Sequence, residues 1–373
     1  MNFVFVSYNY SPGFKTPDDW IKRIRAYTGS LEYLSKNHKV NRIEQIDYKG
    51  SYQSNGVSYH FTDLGRGRRY FPFKLNSLVK SLNPDVVVIH GTHYPLPVIL
   101  LSLILKNRVH IFVQHHAEKP FTGIKKYLQR VASLQVDAFL FASRELGFYW
   151  VKKGNITSRE KIQEIMEVSS VFYPVARDLA LAKTNAKGNP IFLWVGRLNA
   201  NKDPLNVINA FLTYCSRNRS AKLYMIYHTD ELLEDINTIL YDHPYRPSVI
   251  LIGKVPNDDL LYWYNSADFI ISGSHYEGSG TAICEALSCG CIPIVTNIES
   301  FRTITNDGQC GVLFEPGDKQ SLVNALVLAE KIEIAKKRDV CINHFEHNLS
   351  FQAISKKIVT IAAELTSNNS ANC

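Results

Sequence analysis

Residues 275–295 read HYEGSGTAICEALSCGCIPIV, a glycine- and serine-rich loop followed by an alanine- and leucine-containing segment and a short apolar run. The loop comes directly after ADFIIS (267–272), which has the composition of a buried β-strand. The pattern therefore predicts a strand, a tight loop, a helix that begins near Gly280, and a second strand at 291–296. Strand–helix–strand units of this kind build the parallel sheets of α/β proteins.

Similar short apolar runs alternate with amphipathic stretches along the rest of the chain, which predicts two successive doubly wound domains. Ligands of such sheets bind at the carboxyl ends of the strands. Only the segment 50–75, which is aromatic, glycine-rich and basic, is expected to form an irregular loop pair. The expected strands are 3–7, 38–47, 85–90, 109–114, 137–142 and 164–168 in the first half, and 191–196, 221–227, 248–253, 267–272, 291–296 and 311–314 in the second.

A chain of 373 residues suits two domains better than one. We expect an N-terminal domain at 1–175 and a C-terminal domain at 191–345, joined by a linker at 176–190, where a polar stretch interrupts the strand rhythm. A C-terminal helix at 346–366 is expected to pack back on the N-terminal domain, and residues 367–373 to form a tail.

The formal net charge of +8 is concentrated in the first half, where residues 1–150 hold 20 Lys and Arg against 10 Asp and Glu. A solvated surface, an acidic or phosphorylated acceptor, an anionic membrane surface and nucleic acid all remain open as explanations. The basic clusters are KRIR (22–25), with Lys22, Arg23 and Arg25, RGRR (66–69) and KKYLQR (125–130).

The N-terminal segment lacks the basic lead and the long apolar core of a signal peptide. The longest apolar run, 95–105, has about half of the ~20 residues that a membrane span needs. These features predict a cytoplasmic protein, with peripheral attachment to the inner face of the cytoplasmic membrane left open. The seven cysteines form no C-x-x-C pair, so neither a disulfide framework nor a zinc ribbon is expected.

The loop at 278–281 has the features of an anion site, because small residues let backbone N–H groups approach a phosphate at a helix N-terminus. Glu277 precedes the loop and Glu285 lies on the helix, so both carboxylates can point into one pocket, one toward sugar hydroxyls and one toward a ribose. Further upstream, FLWVGRLNANKDP (192–204) places Arg197 and Lys202 after a strand, where two cations suit a diphosphate.

These segments resemble the retaining GT-B glycosyltransferases of the group 1 family (glycosyltransferase family 4). The similarity covers about 190–330 and consists of an E-x7-E element, a strand-G-R-L-x-x-x-K element that begins at Gly196, and the strand GCIPIV (290–295). The resemblance implies a GT-B fold, in which two Rossmann-like domains face each other across a cleft. It also implies a nucleotide-diphospho-sugar donor, UDP- or GDP-linked, with no metal and no other cofactor.

The family's functional residues carry over onto matching positions of this chain. The resemblance implies that Glu277 is a catalytic residue at the transferred sugar and that Glu285 binds the ribose. The chain departs from the family at Gly280 or Thr281, where many members have proline. The implied diphosphate site comprises Arg197, Lys202, Gly278, Ser279, Gly280 and Thr281, and the implied nucleobase site comprises Gly253, Lys254 and Val255.

In the first half, Gly13 follows the first strand, and either forms a plain tight turn or brings its backbone to the donor phosphates. His115 and His116 follow the strand at 109–114, and the resemblance places His116 near the transferred sugar as a second catalytic residue. His90 ends another strand, and we expect His90 and His115 on the acceptor side.

The sequence thus predicts a metal-independent retaining glycosyltransferase that moves a sugar to a glycan or lipid-linked acceptor, in bacterial surface polysaccharide synthesis. Two alternatives stay open: another GT-B enzyme, such as a nucleotide-sugar epimerase or a phosphorylase, and a non-catalytic basic binding protein. The E-x7-E element argues against an epimerase. No RNA-binding motif accompanies the basic clusters, so nucleic acid is not an expected partner.

Overall fold

The computed structural model of the chain describes residues 1–64, 72–105 and 109–371. These residues fold into two compact units. Unit 1 comprises Met1–Ser169 together with the C-terminal segment that begins at Phe351, and unit 2 comprises Ser170–Ser350.

The described part of unit 1 contains an eight-stranded sheet. Its strands are β1 (Asn2–Ser11), β2 (Lys39–Ile46), β3 (Gly50–Ser54), β4 (Val57–Thr62), β5 (Val86–His90), β6 (His110–Gln114), β7 (Ala138–Phe141) and β8 (Ile162–Glu164). They lie in the order β3-β4-β2-β1-β5-β6-β7-β8. Strands from β2 to β4 are thus added on one side of β1 and strands from β5 onward on the other, so the order of addition reverses between β1 and β5. The β3–β4 pair is antiparallel, and the other neighbouring strands run parallel. The helices that follow in unit 1 are α1 (Pro17–Arg23), α2 (Arg25–Ser35), α3 (Phe73–Ser81), α4 (Pro95–Ile104), α5 (Gly123–Leu134) and α6 (Arg144–Lys152).

Unit 2 contains a six-stranded, wholly parallel sheet. Its strands are β9 (Ile191–Gly196), β10 (Lys222–Tyr227), β11 (Val249–Gly253), β12 (Phe269–Ser272), β13 (Ile292–Thr296) and β14 (Val312–Phe314). They lie in the order β11-β10-β9-β12-β13-β14, with the reversal between β9 and β12. The helices of unit 2 are α7 (Arg177–Thr184), α8 (Pro204–Cys215), α9 (Leu233–Leu240), α10 (Leu260–Ser266), α11 (Thr281–Ser288), α12 (Glu299–Ile304), α13 (Lys319–Ala329) and α14 (Ile334–His344). Two doubly wound parallel sheets confirm the predicted α/β class.

The unit boundaries differ from the expected linker at 176–190. Helix α7 lies inside this range and belongs to unit 2. Arg177 forms an ion pair with Asp268 (Nη1–Oδ1 2.7 Å), and the Thr184 hydroxyl lies 2.9 Å from the Ser266 hydroxyl. The segment is polar because one side of the helix is solvated, and these contacts hold it against unit 2.

The last helix, α15 (Phe351–Ala371), belongs to unit 1, although the strands before it belong to unit 2. It packs against α2, where the Ser355 hydroxyl donates to the Ser30 carbonyl over 2.6 Å. The helix begins five residues after the expected start at 346, because a π-helical turn, Phe345–Leu349, comes first.

The expected loop pair at 50–75 is wrong for its first part, which forms the β3–β4 hairpin. Asn55 and Gly56 make the turn with φ of 48° and 81°, the left-handed conformation that two-residue hairpin turns require. The basic cluster RGRR (66–69) lies outside the described residues. Strand β8 also ends where the predicted strand 164–168 was expected to begin.

Six cysteines of the described chain are free and buried. Among the described residues, no helix combines the length and the apolar character that a bilayer crossing requires.

Candidate functional site

A cavity of about 500 Å³ opens at the carboxyl edge of the unit 2 sheet. The ends of β9, β10 and β12 and the residues after β11 contribute to its wall, so it lies at the point where the strand order reverses, the usual ligand position in such sheets. The predicted site residues that line it are Arg197, Lys202, Lys254, Val255, Glu277, Gly280, Thr281 and Glu285.

The floor of this cavity carries an ion pair between Lys202 and Glu277, whose side chains are 21% and 14% exposed. Lys202 lies in the loop after β9, and its backbone N–H donates to the Asn199 side-chain oxygen over 3.1 Å. The same loop is fixed at its start, where the Leu198 N–H donates to the Thr229 hydroxyl over 2.8 Å. Backbone hydrogen bonds therefore help to position this lysine, whose side chain is also largely buried.

The loop that carries Glu277 is joined to the Lys202 loop by two further hydrogen bonds. The Asn201 amide donates to the Tyr276 carbonyl over 3.0 Å, and the His275 N–H donates to the Asn201 carbonyl over 2.9 Å. These hydrogen bonds hold the two loops together and so place the carboxylate beside the ammonium.

Gly280 caps the N-terminus of α11 in the left-handed conformation, with φ of 64°. A Cβ at this position would lie 2.9 Å from the ring of Phe301, so both the backbone and the space favour glycine. Thr281 and Ala282 begin the helix and line the cavity. The free N–H groups of this first turn make the wall attractive to an anion.

Two of the expected anion-loop residues do not line the cavity. Of the loop 278–281, only Gly280 and Thr281 line the cavity, and Gly278 and Ser279 are buried beside it. Gly253 likewise ends β11 without lining the cavity, whereas Lys254 and Val255 do.

Glu285 is oriented by a buried tyrosine of α10. The Tyr264 hydroxyl donates to Glu285 Oε2 over 2.8 Å. Burial, and then the charge of Glu285 together with this hydrogen bond, raises the pKa of Tyr264 well above its ordinary value. Tyr264 therefore remains a donor, and it fixes one carboxylate oxygen.

Sequence reasoning missed His228 and Asn257, which also line the cavity. His228 follows β10 directly, in the same position relative to its strand as Arg197 has after β9. The signal was thus present, because polar residues at the carboxyl ends of neighbouring parallel strands meet at one edge.

Unit 1 holds a second cluster, a chain of polar side chains near the reversal point of its own sheet. Arg42 pairs with Glu44 (Nε–Oε1 2.5 Å), and its Nη1 lies 3.1 Å from His90 Nε2. His90 Nδ1 lies 3.1 Å from His116 Nε2, and His116 Nδ1 pairs with Glu167. Arg42, Glu44 and Glu167 were not predicted from the sequence.

The hydrogen-bond partners determine which nitrogen of each histidine donates in this series of side chains. A guanidinium can only donate, so His90 Nε2 accepts from Arg42, and His90 donates from Nδ1 to His116. Burial, and then the charges of Arg42 and His116, lowers the pKa of His90 well below its ordinary value. Burial alone would also lower the pKa of His116, but the charge and hydrogen bond of Glu167 raise it. In the assigned direction His116 accepts at Nε2 and donates from Nδ1 to Glu167, where the series ends.

His115 takes a different place from its neighbour. It is buried, its ring stacks on Phe141 at a centroid distance of 4.5 Å, and its Nε2 lies 3.0 Å from the Glu118 carbonyl. These contacts do not favour the expected acceptor-side role, because the ring is enclosed by the core. Ala117 follows with φ of 63°, a conformation more usual for glycine.

Gly13 does not offer its backbone as expected. Its N–H donates to Asp47 Oδ2 over 2.6 Å. The hydrogen bond occupies the donor that a phosphate contact would need, and the carboxylate repels a phosphate. The structure therefore supports the turn interpretation of Gly13.

Part of the chain, which includes the cavity residues, is similar to a known protein family. Residues 177–346 match the family described as glycosyl transferases, group 1. The O-antigen chain mannosyltransferase B of Escherichia coli is 35% identical over 71 residues, which are 19% of this chain and 18% of that protein. The chain spans 18% to 36% of the length of the curated relatives that it matches.

Solved structures match over the whole chain at low identity. A glycosyltransferase from Rickettsia africae superposes with a TM-score of 0.74 at 15% identity, covering 98% of this chain and 99% of that one. A structure described as trehalose-6-phosphate from E. coli bound with UDP-2-fluoro glucose gives a TM-score of 0.71 at 12% identity, covering 97% and 99%. These similarities confirm the predicted GT-B fold.

Proposed function

We propose that this chain, whose residues 177–346 match the group 1 glycosyl transferases, transfers a sugar from a nucleotide-diphospho-sugar to an acceptor. One observation carries the proposal. The cavity of unit 2 brings three cations (Arg197, Lys202 and Lys254), two carboxylates and a helix N-terminus together at the carboxyl edge of a parallel sheet. This combination suits a ligand that has both a diphosphate and two sets of hydroxyls.

In the proposed reaction the nucleoside diphosphate leaves the anomeric carbon, and charge builds up on its outer phosphate. Arg197, Lys202 and the first turn of α11 stabilise that charge. Glu285 binds the ribose, since its carboxylate is already oriented by Tyr264. Lys254 and Val255 border the base. Transfer with retention is proposed from the resemblance of the E-x7-E element.

Glu277 contacts the transferred sugar, and it holds Lys202 while no donor is bound. When the diphosphate arrives, Lys202 exchanges one anionic partner for another, and the sugar hydroxyls become the hydrogen-bond partners of Glu277. His116 is carried over by resemblance as a second catalytic residue. Its pairing with Glu167 keeps its ring in one orientation.

The acceptor is proposed to be a glycan or a lipid-linked glycan of a bacterial surface polysaccharide. The name of the E. coli relative, an O-antigen chain mannosyltransferase, supports this class. The excess of basic residues in 1–150 suits an acceptor that carries phosphate, or the anionic membrane surface on which such an acceptor resides. We place the protein on the cytoplasmic side of that membrane.

A panel of UDP- and GDP-sugars tests the proposal. One base class is expected to raise the unfolding temperature of the intact protein by several degrees, since a ligand at 100 times its Kd stabilises by about 2.7 kcal/mol. The same donor should be slowly hydrolysed without acceptor, as measured by nucleoside diphosphate release. Lys202→Gln should reduce the shift. A panel with neither a shift nor release would leave a binding protein as the better explanation.

Sugar transfer is expected to survive chelation. Arg197, Lys202 and the α11 N-terminus already supply positive charge to the diphosphate, so excess EDTA should leave the rate within about twofold of its value. The rate is measured after dialysis, with and without added Mg²⁺ or Mn²⁺. A loss of activity with EDTA that either ion restores would contradict this diphosphate site.

A further inference from the structure

Helix α5 has its apolar face outward. Its buried residues are Gln129, Ala132 and Ser133, which are polar or small. Its large apolar side chains recur at spacings of three and four residues, so they form one stripe along the opposite face. That stripe, called here the α5 stripe, consists of Ile124, Tyr127, Leu128, Val131 and Leu134, each exposed and the first of them to 85%.

Such a stripe is unusual on a protein surface facing water. Isolated apolar side chains are common there, but a contiguous apolar patch marks a surface that another apolar phase covers. The stripe therefore needs an occupant.

Cations border the α5 stripe on both sides. At about 100° per residue, Lys125 lies beside Leu128, and Arg130 lies beside Tyr127 and Leu134. Lys126 stands next to Arg130 on the same side, and α5 contains no Asp or Glu. An apolar stripe between cations is the pattern of a helix that lies in the interface of an anionic bilayer.

A second copy of the chain fits this surface poorly. Two α5 helices that packed stripe against stripe would bring three cations from each copy to the same contact, with no acidic residue on either helix to compensate. An anionic lipid surface supplies the missing countercharge.

A recess continues the surface past the first turn of α5. It has a volume of about 350 Å³, and its wall includes Leu96 of α4 together with Phe121, Lys125 and Leu128. A lining that is mostly apolar, with Lys125 and His93 among its side chains, suits an acyl chain below an anionic headgroup.

We infer that the α5 stripe is the surface by which the protein lies on an anionic membrane. The inference rests on the proposed function, because it specifies how the protein reaches the membrane on which a lipid-linked acceptor resides. Of the basic clusters, the one formed by Lys22, Arg23 and Arg25 suits an apolar surface less well. Helix α1 also carries Asp18 and Asp19, and its apolar residues are at least half-buried, so it has charge without an exposed stripe.

The test is sedimentation of the full chain with vesicles of phosphatidylglycerol and phosphatidylcholine, and with vesicles of phosphatidylcholine alone. The chain should bind the anionic vesicles. The double variant Ile124→Ser, Leu134→Ser should bind them about tenfold more weakly. The matched control, Tyr241→Ser with Leu328→Ser, removes two exposed apolar side chains from unit 2 and should bind as the parent does.

A charge series separates lipid contact from general basicity. Lys125→Gln, Lys126→Gln, Arg130→Gln should lose the preference for anionic vesicles, whereas Lys22→Gln, Arg23→Gln, Arg25→Gln should keep most of it. Higher salt should weaken but not abolish binding by the parent, because screening reaches the cations and not the apolar stripe. Thermal unfolding checks that every variant is folded.

Three outcomes would overturn the inference. The first is that the chain binds neither kind of vesicle. The second is that the α5 double variant and the unit 2 control variant lose vesicle binding equally. The third is that sedimentation velocity shows a dimer of the parent chain and a monomer of the α5 double variant. Donor-induced stabilisation is measured on the same samples. Because the donor cavity belongs to unit 2, a failed membrane test with a retained donor-induced rise in unfolding temperature would contradict only this inference. Membrane binding without that rise would contradict only the proposed reaction.

Discussion

Glu277→Gln is expected to lower the turnover of sugar transfer at least about tenfold in a chain that remains folded. The amide keeps the size of the side chain but removes the charge that we place at the transferred sugar. It also releases Lys202 from its ion pair. Lys202 is then free for the diphosphate, so donor affinity should stay equal or become slightly tighter while turnover falls.

The measurements are steady-state turnover at saturating donor and the dissociation constant of the donor by calorimetry. Glu315→Gln is the matched control, because Glu315 is exposed and does not line the cavity. Near-normal turnover in a folded Glu277→Gln chain would remove Glu277 from the reaction. Unchanged turnover with much weaker donor binding would make it a binding residue only.

The cavity could be predicted because its residues obey a local rule. Arg197 follows β9, Lys254 follows β11, and Glu277 follows β12 after a short loop, and apolar runs mark the end of each strand in the sequence. The carboxyl ends of parallel strands share one edge, so side chains far apart in the sequence meet without any knowledge of the packing. Gly278 and Ser279 escaped this rule, since their burial depends on how the loop closes.

The polar chain of unit 1 could not be predicted in the same way. Arg42 and Glu44 lie two residues apart, which places them on one face of β2, but nothing local says that both are buried or that His90 is the third member. Arg42 reaches His90 past β1, the strand that lies between β2 and β5. That contact depends on the strand order.

Helix α5 is a second feature that the sequence predicts only in part. Its periodicity predicts an amphipathic helix at 122–134, and the structure places one at Gly123–Leu134. Periodicity alone does not say which face is covered, and the usual assumption places the apolar face inward. Here the packed face is polar or small. The hairpin at 50–62 was a different kind of error, because its Asn-Gly turn was a local signal.

Arg42→Met is expected to destabilise unit 1 by about 3–5 kcal/mol, the usual cost of leaving one member of a buried ion pair without its partner. The side chains of Arg42 and Glu44 are only 5% and 3% exposed, so water cannot compensate the remaining carboxylate. The substitution also removes the group that donates to His90 Nε2. Chemical unfolding, followed by probes in unit 1, measures the loss against Lys39→Met, an exposed position at the start of the same strand.

The double variant Arg42→Met, Glu44→Met separates charge from packing. Because it removes both charges together, most of the lost stability should return, even though the side-chain contacts of the arginine are still missing. If the double variant were as unstable as Arg42→Met, the arginine would stabilise β2 by packing rather than by pairing. If Arg42→Met were as stable as Lys39→Met, Glu44 would have to be neutral or hydrated in unit 1. In that case the directed chain from Arg42 through His90 to His116 would lack its fixed end, and the orientation of His116 would rest on Glu167 alone.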